Sequence, residues 1–460
     1  MYHINFEKPC HIYFIGIGGI SMSGLAEVLM KEGFTVSGSD SKKSPLTDHL
    51  SSLGATIFYD QSVSHIPEGT DVVVYTAAIH AEHSEIVDAN ARNIPLLTRA
   101  ELLGQLMRNY KTAINIAGTH GKTTTTSMIT EILLAAGTDP TISVGGILPT
   151  IGGNIRVGGS DLFVTEACEY TNSFLSFYPT MEVILNIEAD HLDFFKDIDD
   201  IRHSFRLFME KLPKDGVLVI NGDIRDLSEL TKGIECEIIT VGHSESCDYH
   251  AANITYNELA QASFDVTDAH GTVLGHIQLS VPGEHNVYNA LAAVALCRKL
   301  DLTMDQIASG LLNFHGTQRR FEKKGVVNGI TIIDDYAHHP QEIAATLTAA
   351  KKYPHKKIWC IFQPHTYTRT KALLNDFAKA LSLADEVVLA KIYPARETDD
   401  LGISSDNIRI LLEQEGINAH YLETFEEIEK FILKNAIPGD LVITMGAGDV
   451  VKIGENLISK

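Results

Sequence analysis

Short apolar runs alternate with helix-like segments along most of the chain. In the first hundred residues, runs such as HIYFIGIGG, TVSGSD and DVVVYTAAI are separated by amphipathic patterns such as SMSGLAEVLMKEG. A second series runs from TAINIAG through DLFVTEA to EIITVG, and a third from GITIIDD through KIWCIFQ to LVITMGAG. Strands that alternate with helices at this spacing form parallel βαβ units. The pattern therefore predicts an α/β protein with three doubly wound domains.

The predicted boundaries lie near residues 110 and 315, which gives domains at 1–110, 111–315 and 316–460. From Tyr249 to Pro282 the pattern changes to alternating strands with turn residues such as DAHG, ahead of the helical segment NVYNALAAVALCRKL. Antiparallel strands need only short turns between them. We therefore expect a small antiparallel insert within the second domain.

Composition narrows the class of protein further. The chain has 460 residues with 37 basic and 59 acidic side chains, a formal charge of −22, which argues against a nucleic-acid or anionic-membrane surface. No apolar run approaches the roughly 18 residues of a membrane span, and the first residues lack a signal-peptide pattern. The six scattered cysteines form no C-x-x-C pair or zinc-like cluster, so we expect reduced thiols. These features predict a cytoplasmic protein and leave open whether it is a monomer or a homodimer.

The strongest chemical signal is the loop AGTHGKTTTT between an apolar strand and a helix. In that place the backbone N–H groups converge at a helix N-terminus, where phosphate can accept hydrogen bonds. Lys122 supplies a cation for the phosphates and Thr123 a hydroxyl for Mg²⁺. Ile116 stands where the usual pattern has a glycine, and an ordinary strand-to-helix turn is the alternative. The predicted ATP contacts of the loop are Gly118, Thr119, His120, Gly121, Lys122, Thr123 and Thr124.

Two acidic strand ends are predicted beside this loop. Glu166 closes the apolar run DLFVT, and Asp190-His191 follows MEVILNIEA. Open α/β sheets bind ligands at the carboxyl ends of their strands, so these residues indicate a metal site, with helix capping as the alternative.

A second glycine-rich loop, GIGGIS, comprises Gly16, Gly18 and Gly19 and lacks the third glycine of a dinucleotide fingerprint, because Ser21 stands there. Asp40, at the end of TVSGSD, could accept a hydrogen bond from a ribose hydroxyl. From these residues alone, NAD and another nucleotide are equally favoured.

The third domain carries three further polar runs: Arg319-Arg320 after a Gly-Thr turn, DDYAHHP after the strand GITII, and QPHTYTR after KIWCIF. An arginine near a transferring phosphoryl group would offset its developing charge. Solvated surface arginines and a helix cap at His338-His339 are the alternatives, and QPHTYTR could receive a carboxylate or only form a loop.

Taken in order, these motifs resemble the Mur ligases of peptidoglycan synthesis, and most closely the alanine-adding type. The similarity extends over nearly the whole chain through GIGGISMSG, AGTHGKTTTT, EACEYTNSFL, NIEADHLDFF, PGEHNVYNALAA, GTQRRFE, DDYAHHP, FQPHTYTRT and MGAGD. The resemblance implies a Rossmann-like N-terminal domain for the UDP-sugar, a central P-loop ATPase domain and a Rossmann-like C-terminal domain. It implies an ATP-dependent ligase that activates the lactyl carboxylate of UDP-N-acetylmuramate as an acyl phosphate, which the amine of L-alanine then attacks.

The resemblance also assigns roles to individual residues. It implies that Lys122 binds the β and γ phosphates, that Thr123 and Glu166 hold one Mg²⁺ and His191 helps to place a second, and that Arg320 and Asp335 reach the nucleotide when the domains close. Three further groups follow from it. They are Asn286 and Asn289 near the adenine; Gly16, Gly18, Gly19, Ser39 and Asp40 for the UDP-sugar; and Tyr336, His338, His365 and Arg369 for the amino acid.

Two positions depart from the family pattern. Many relatives carry a carbamylated lysine where this chain has Ser204, Phe205 and Arg206, so we expect no such modification. Thr366 stands where the alanine-adding type often has arginine, which leaves Arg369 as the single arginine of that run.

Three rival functions remain open from the sequence. The nearest is a murein-tripeptide recycling ligase, which joins a peptide to the same sugar nucleotide. A nicotinamide-dependent oxidoreductase would leave Lys122, Glu166 and Arg320 without a task. A non-catalytic nucleotide-binding protein would bind ATP without transferring phosphate.

Overall fold

The computed structural model describes residues 2–60, 62–76, 79–192, 194–395, 397–399 and 401–459. The first and last residues of the predicted domains, Met1 and Lys460, lie outside this range. The chain divides into two compact units: unit 1 comprises residues 1–187 and 202–240, and unit 2 comprises residues 188–201 and 241–460. This division into two units is not a test of the three domains predicted from the sequence, and their boundaries stay a prediction.

The N-terminal part of unit 1 is a parallel sheet with strand order β3-β2-β1-β4-β5. Its buried strand residues, such as Tyr13, Ile15 and Val73, form the core under the helices. The elements in chain order are β1 (His11–Ile15), α1 (Ile20–Lys31), β2 (Thr35–Ser39), α2 (Pro45–Ser52), β3 (Thr56–Phe58), β4 (Val72–Tyr75), α3 (Ser84–Ala91), β5 (Leu96–Thr98) and α4 (Arg99–Met107).

The rest of unit 1 contains the strands that carry the phosphate loop, in the order β12-β11-β10-β6-β9-β7-β8. β6 pairs in parallel with β10 on one side and β9 on the other, and β7–β8 is an antiparallel hairpin. Boundaries between unit 1 and unit 2 fall within α6 and within β12. The elements are β6 (Thr112–Ala117), α5 (Lys122–Ala135), β7 (Thr141–Leu148), β8 (Gly153–Arg156), β9 (Leu162–Glu166), β10 (Met181–Ile184), α6 (Ile198–Met209), β11 (Val217–Asn221), α7 (Leu227–Leu230) and β12 (Glu237–Gly242).

The longer segment of unit 2, residues 241–460, contains near its start the antiparallel insert that the sequence predicts. Its three strands pair β13 with β14 and β14 with β15, both antiparallel. Because successive residues of β14 alternate between the core and the surface, only one face of this meander is apolar. The elements are β13 (Tyr249–Tyr256), β14 (Gln261–Asp268), β15 (Val273–Pro282), α8 (His285–Lys299) and α9 (Met304–Asn313).

A six-stranded sheet with order β16-β17-β21-β18-β19-β20 completes unit 2, and it is parallel except for the antiparallel edge strand β16. Apolar clusters cover both of its faces, as a doubly wound sheet requires. The elements are β16 (Glu322–Val327), β17 (Ile330–Asp335), α10 (Pro340–Lys352), β18 (Ile358–Phe362), α11 (Tyr367–Ala372), α12 (Leu374–Leu381), β19 (Glu386–Leu389), α13 (Ser405–Gln414), β20 (Asn418–Tyr421), α14 (Phe425–Asn435), β21 (Leu441–Met445) and α15 (Val451–Ser459).

These sheets confirm the α/β fold class and the antiparallel insert. All six cysteines are free thiols, as the spacing predicts. Within the described residues, no helix combines the length and apolarity needed to cross a membrane.

Candidate active site

The phosphate loop of unit 1 joins the end of β6 to the start of α5, as the sequence predicts. Gly118 and Gly121 have φ angles of +141° and +87°, a region that favours glycine. A Cβ on Gly118 would also lie 3.0 Å from Leu185 Cβ. Helix α5 has no side-chain cap, so its first N–H groups point toward the loop and are open to an anion.

Asn186 supports this loop from the segment that follows β10. Its Oδ1 accepts a hydrogen bond from the His120 N–H at 2.7 Å, its Nδ2 donates to the His120 carbonyl at 3.0 Å, and its own carbonyl accepts from the Thr119 N–H at 3.2 Å. These contacts fix the loop over two consecutive residues. Sequence reasoning did not single out Asn186, because 66 residues separate it from His120.

Lys122 is directed back onto its own loop and paired with a carboxylate. Its Nζ donates to the carbonyls of Gly118 and Thr119 and lies 3.0 Å from Glu169 Oε2. Its side chain is 15% exposed and that of Glu169 3%. Burial alone would lower the pKa of the Lys122 ammonium, but the charge of Glu169, with contributions from Cys168 and Glu166, raises this pKa above its ordinary value. Lys122 is therefore a charged, fully hydrogen-bonded ammonium.

Glu166 ends β9 beside the phosphate loop, where the sequence places it. Its register partner on β6 is Ile116, and its Oε1 accepts a hydrogen bond from the Gly145 N–H at 2.6 Å. A Cβ on Gly145 would lie 2.4 Å from Glu166 Oε2, so glycine is needed there for the carboxylate to approach β7. Glu166 is thus held by the backbone at the carboxyl edge of the sheet.

The predicted Mg²⁺ site can be tested against the side chains that would be its ligands. Among the described residues, no group of three or more His, Cys, Asp or Glu side chains could hold a metal on its own. Mg²⁺ commonly takes one or two protein oxygens and completes its shell with water and phosphate. The Thr123 hydroxyl and the Glu166 carboxylate fit that pattern, whereas the His191 imidazole is not a ligand that Mg²⁺ prefers.

The glycine loop of unit 1 satisfies its own backbone. The N–H groups of Gly16 and Ile17 both donate to the Ser39 carbonyl, that of Gly19 donates to Gly16, and that of Gly18 donates to Asp40 Oδ2 at 2.8 Å. The glycines therefore let a ligand approach the backbone closely, but these N–H groups already donate hydrogen bonds within the protein.

Ser39 takes part in this support through its carbonyl. Its side chain is fully buried and its hydroxyl donates to the Glu85 carboxylate at 2.5 Å. The hydroxyl is therefore engaged within the protein, and the predicted role of Ser39 at the UDP-sugar stays a prediction.

In unit 2, the two consecutive arginines differ in their contacts. Arg319 donates to Asp334 at 2.9 Å and to the carbonyls of Gly446 and Gly448, so it ties the turn to the sheet. The Arg320 guanidinium is 3.8 Å from Glu342 and stacks over the Tyr336 ring at 5.4 Å. Among the described residues, Arg320 thus has fewer polar partners than Arg319, and its predicted role at the nucleotide stays a prediction.

Asp335 ends β17 and organises the following turn. Its Oδ2 accepts from the Phe321 N–H at 2.9 Å and its Oδ1 from the Ala337 N–H at 2.8 Å. Burial raises the pKa of Asp335 to about 6, against the opposing effects of Arg320 and of these hydrogen bonds. The structure thus gives Asp335 a positioning task that the sequence pattern does not reveal.

His338 and His339 have separate functions. His339 is the N-cap of α10, and its Nδ1 accepts from the Gln341 N–H at 3.4 Å, so the helix-cap alternative holds for it. His338 Nδ1 lies 3.1 Å from the Tyr336 carbonyl and 3.3 Å from Glu342. Burial lowers the pKa of His338 to about 4, so this imidazole is neutral at pH 7.

Arg369 lies in a polar cluster with Asp190 and His365, all within unit 2. Its Nη2 is 3.5 Å from Asp190 Oδ1 and its Nη1 is 3.5 Å from His365 Nδ1. Burial raises the pKa of Asp190, but the charges of His191, Arg369 and His339 hold it below its ordinary value. A further carboxylate that the sequence did not single out, Glu397, accepts the N–H groups of Tyr367 and Thr368.

The predicted adenine residues lie at the start of α8. Asn286 Nδ2 donates to the Pro282 carbonyl at 2.7 Å, and Asn289 Nδ2 donates to Asn286 Oδ1 at 3.0 Å. His285 is next to them, and burial lowers its pKa to about 4. The two amides are thus linked to each other, with a neutral ring beside them.

One sequence expectation is wrong in detail. Asp190-His191 does not close a strand, because β10 ends at Ile184. Its ladder with β6 stops there, since β6 ends at Ala117 and turns into the phosphate loop. His191 instead lies in the following loop with a φ of +53°.

Comparisons with known proteins agree with this arrangement. The model of the Mur ligase family catalytic domain matches residues 11–111, that of the Mur ligase middle domain residues 116–297, and that of the Mur ligase glutamate ligase domain residues 319–448. The chain belongs to the Mur ligase family.

Individual relatives make the comparison more specific. UDP-N-acetylmuramate--L-alanine ligases of Agathobacter rectalis and Lachnospira eligens are 61% and 60% identical to this chain, with 100% of each chain covered. The crystal structure of UDP-N-acetylmuramate-alanine ligase MurC from Thermotoga maritima has a TM-score of 0.79 at 30% identity and 98% coverage of both chains. A murein peptide ligase from Psychrobacter arcticus has a TM-score of 0.71 at 26% identity, with the same coverage.

Proposed function

We propose that the protein is an ATP-dependent ligase that joins L-alanine to the lactyl carboxylate of UDP-N-acetylmuramate in peptidoglycan precursor synthesis. The observation that carries the proposal is the full-length identity of 60–61% to ligases of that name. Lys122 and Glu166 at the carboxyl edge of one sheet give this assignment a chemical basis.

The chemistry begins with a carboxylate, which is a poor electrophile at neutral pH. Transfer of the γ-phosphoryl group converts it to an acyl phosphate with release of ADP, and attack by the alanine amine then releases phosphate. In this scheme Lys122 and the first N–H groups of α5 hold the triphosphate and offset its charge. Mg²⁺ would be held by Thr123 and Glu166 and would neutralise charge on the phosphates.

Residues of unit 2 have the remaining roles in the proposed reaction. Arg369 is the cation for the alanine carboxylate, with His365, His338 and Tyr336 around it, and Arg320 and Asp335 act toward the nucleotide. Since burial lowers the pKa of His338 to about 4, it is a weak base near pH 7 and acts there as a neutral hydrogen-bonding group. We propose a cytoplasmic location, and a monomer and a homodimer are both compatible with the proposal.

The test is phosphate release with ATP, Mg²⁺, UDP-N-acetylmuramate and single amino acids. We expect release only when the sugar nucleotide and L-alanine are both present. Release with the tripeptide of peptidoglycan but not with alanine would instead indicate the recycling ligase. Phosphate release that needs neither acceptor, or none under any condition, would contradict both functions.

A further inference from the structure

Arg99 is a cation of unit 1 that has no role yet in either the glycine loop or the phosphate loop. It is the first residue of α4 and is half-buried. A guanidinium has five N–H donors, yet the one hydrogen bond of this side chain within the described residues runs from Nη1 to the Ser21 hydroxyl at 3.2 Å. No described carboxylate lies within ion-pair distance of it, in contrast to Lys122 and Arg319. Burial lowers the pKa of Arg99 below its ordinary value.

The packing of α4 determines where this cation lies. A Cβ on Gly104 would be 2.0 Å from the Ser176 carbonyl oxygen, so the helix contacts the backbone of the segment that follows Glu166. At the start of that segment, the thiol of Cys168 is close enough to interact electrostatically with both Arg99 and Lys122. Through this packing, Arg99 lies near Cys168, a residue that is also near Lys122.

The one hydrogen-bond partner of Arg99 among the described residues, Ser21, belongs to a different part of unit 1. Ser21 lies in the first turn of α1, immediately after Gly16–Gly19. Arg99 is thus placed between the glycine loop and the Cys168 end of the segment beside Lys122. A substrate held by its nucleotide at the first loop and phosphorylated at the second would therefore have this guanidinium beside it.

We propose that Arg99 binds and orients the carboxylate of the sugar nucleotide that is to be phosphorylated, an inference that rests on the proposed function. A planar guanidinium matches the two oxygens of a carboxylate. One carboxylate oxygen forms the new bond to the γ-phosphorus, the bond from that phosphorus to the β–γ bridging oxygen breaks, and ADP leaves with the electron pair. Arg99 holds the other oxygen, and no proton or further reactant is needed.

The diphosphate of the same ligand is an alternative source of anionic oxygens. We favour the carboxylate, because Cys168 interacts electrostatically with both Arg99 and Lys122, whereas the backbone groups of the glycine loop already hydrogen-bond to one another. The two anions can be separated experimentally, since UDP-N-acetylglucosamine has the diphosphate and lacks the lactyl carboxylate.

The experiment measures binding of both sugar nucleotides to the full chain by calorimetry without ATP. We expect Arg99→Met to raise the Kd for UDP-N-acetylmuramate by about 10- to 100-fold, as for loss of a charge-assisted hydrogen bond. The Kd for UDP-N-acetylglucosamine should change less than about twofold. Arg99→Lys, which keeps the charge without the fork, should give an intermediate Kd, and the same split should appear in KM. Arg225→Met, at a 91% exposed arginine of unit 1, is the control.

Each remaining outcome overturns the inference. Equal weakening for both ligands would assign Arg99 to the diphosphate, and unchanged binding of both would make it a packing residue. Thermal unfolding of each variant shows whether a change in Kd follows from loss of structure. If the wild-type chain binds UDP-N-acetylmuramate and uses it with alanine while Arg99→Met binds it normally, this inference fails and the proposed function stands. If the wild-type chain does neither, the proposed function itself fails.

Discussion

The phosphate loop of unit 1 and the polar cluster of unit 2 each contain a cation next to a carboxylate of the same chain. Lys122 is 3.0 Å from Glu169 and also donates to two loop carbonyls. Arg369 is 3.5 Å from Asp190 and 3.5 Å from His365. The three donors of the ammonium are thus occupied, whereas only two of the five donors of the guanidinium have a partner among the described residues.

This difference indicates two ways of admitting an anionic substrate. At Lys122 a phosphate has to displace Glu169 and the loop carbonyls, so binding is an exchange. At Arg369 a carboxylate can be added beside Asp190 with little loss of existing contacts. In both regions the internal acid stabilises a buried cation while no substrate is present, because an unpaired buried charge is costly.

The largest expected effect is that of Lys122→Ala, which should lower kcat by about three orders of magnitude or more through loss of phosphate stabilisation. The structure adds that Glu169 would then be a buried carboxylate without its cation, at a cost of roughly 3–5 kcal/mol. Steady-state phosphate release and thermal unfolding measure the two effects separately.

A double variant separates catalysis from folding. Lys122→Ala combined with Glu169→Gln should recover most of the lost stability and none of the lost turnover. Near-normal turnover in either variant would contradict the role of Lys122, and equal stability of all variants would contradict the pairing with Glu169.

At Arg369 the effect should be smaller and confined to one substrate. Arg369→Ala should raise the KM for L-alanine by about 10- to 100-fold, with a much smaller change in the KM for UDP-N-acetylmuramate. Initial rates over a range of alanine concentrations measure this. Arg409→Ala is a matched control, because this arginine forms its ion pairs on the exposed face of α13. A raised KM for the sugar nucleotide with an unchanged alanine KM would refute the assignment.

If phosphate has to displace Glu169 from Lys122, removing the charge of Glu169 should increase the affinity for ATP. Removing the charge of a purely structural residue would not produce this gain. Glu169→Gln can still accept a hydrogen bond from Lys122 but no longer competes with phosphate as an anion. We expect the Kd for ATP, measured by calorimetry without Mg²⁺, to fall about fivefold, or by about 1 kcal/mol. Glu210→Gln, at an exposed pair with Arg206, should leave it unchanged. Weaker ATP binding by Glu169→Gln would contradict the exchange.

The comparison also shows what the sequence could and could not predict. The loop before α5 and the position of Glu166 follow from local patterns, because a strand, a turn and a helix start are contiguous in sequence. The partners of these residues, such as Asn186, are brought in by tertiary packing and have no local signature. The end of β10 was missed for a similar reason: Leu185 is buried and apolar like a strand residue, but the neighbouring strand β6 has already ended.

A third carboxylate, Glu182 on β10, sharpens the comparison because it has no counterpart to Lys122. Its side chain is fully buried, and neither oxygen has a hydrogen-bond partner among the described residues. Burial raises the pKa of Glu182 well above its ordinary value, and the charge of Lys211 only partly opposes this. The folded chain therefore holds a proton on Glu182 at a pH where the unfolded chain has released it.

The sign of the pH dependence follows from that difference. Because the native state binds more protons, stability falls as the pH rises from the ordinary glutamate pKa of 4.5 toward the raised value, and then levels off. Glu182→Gln is neutral at every pH and should escape this loss. We expect the Tm of Glu182→Gln relative to the wild type to be higher at pH 8 than at pH 5, by a few degrees. The exposed Glu210→Gln should show no such trend, and a difference in Tm that does not change with pH would mean that Glu182 is charged in the folded chain and is stabilised as Glu169 is.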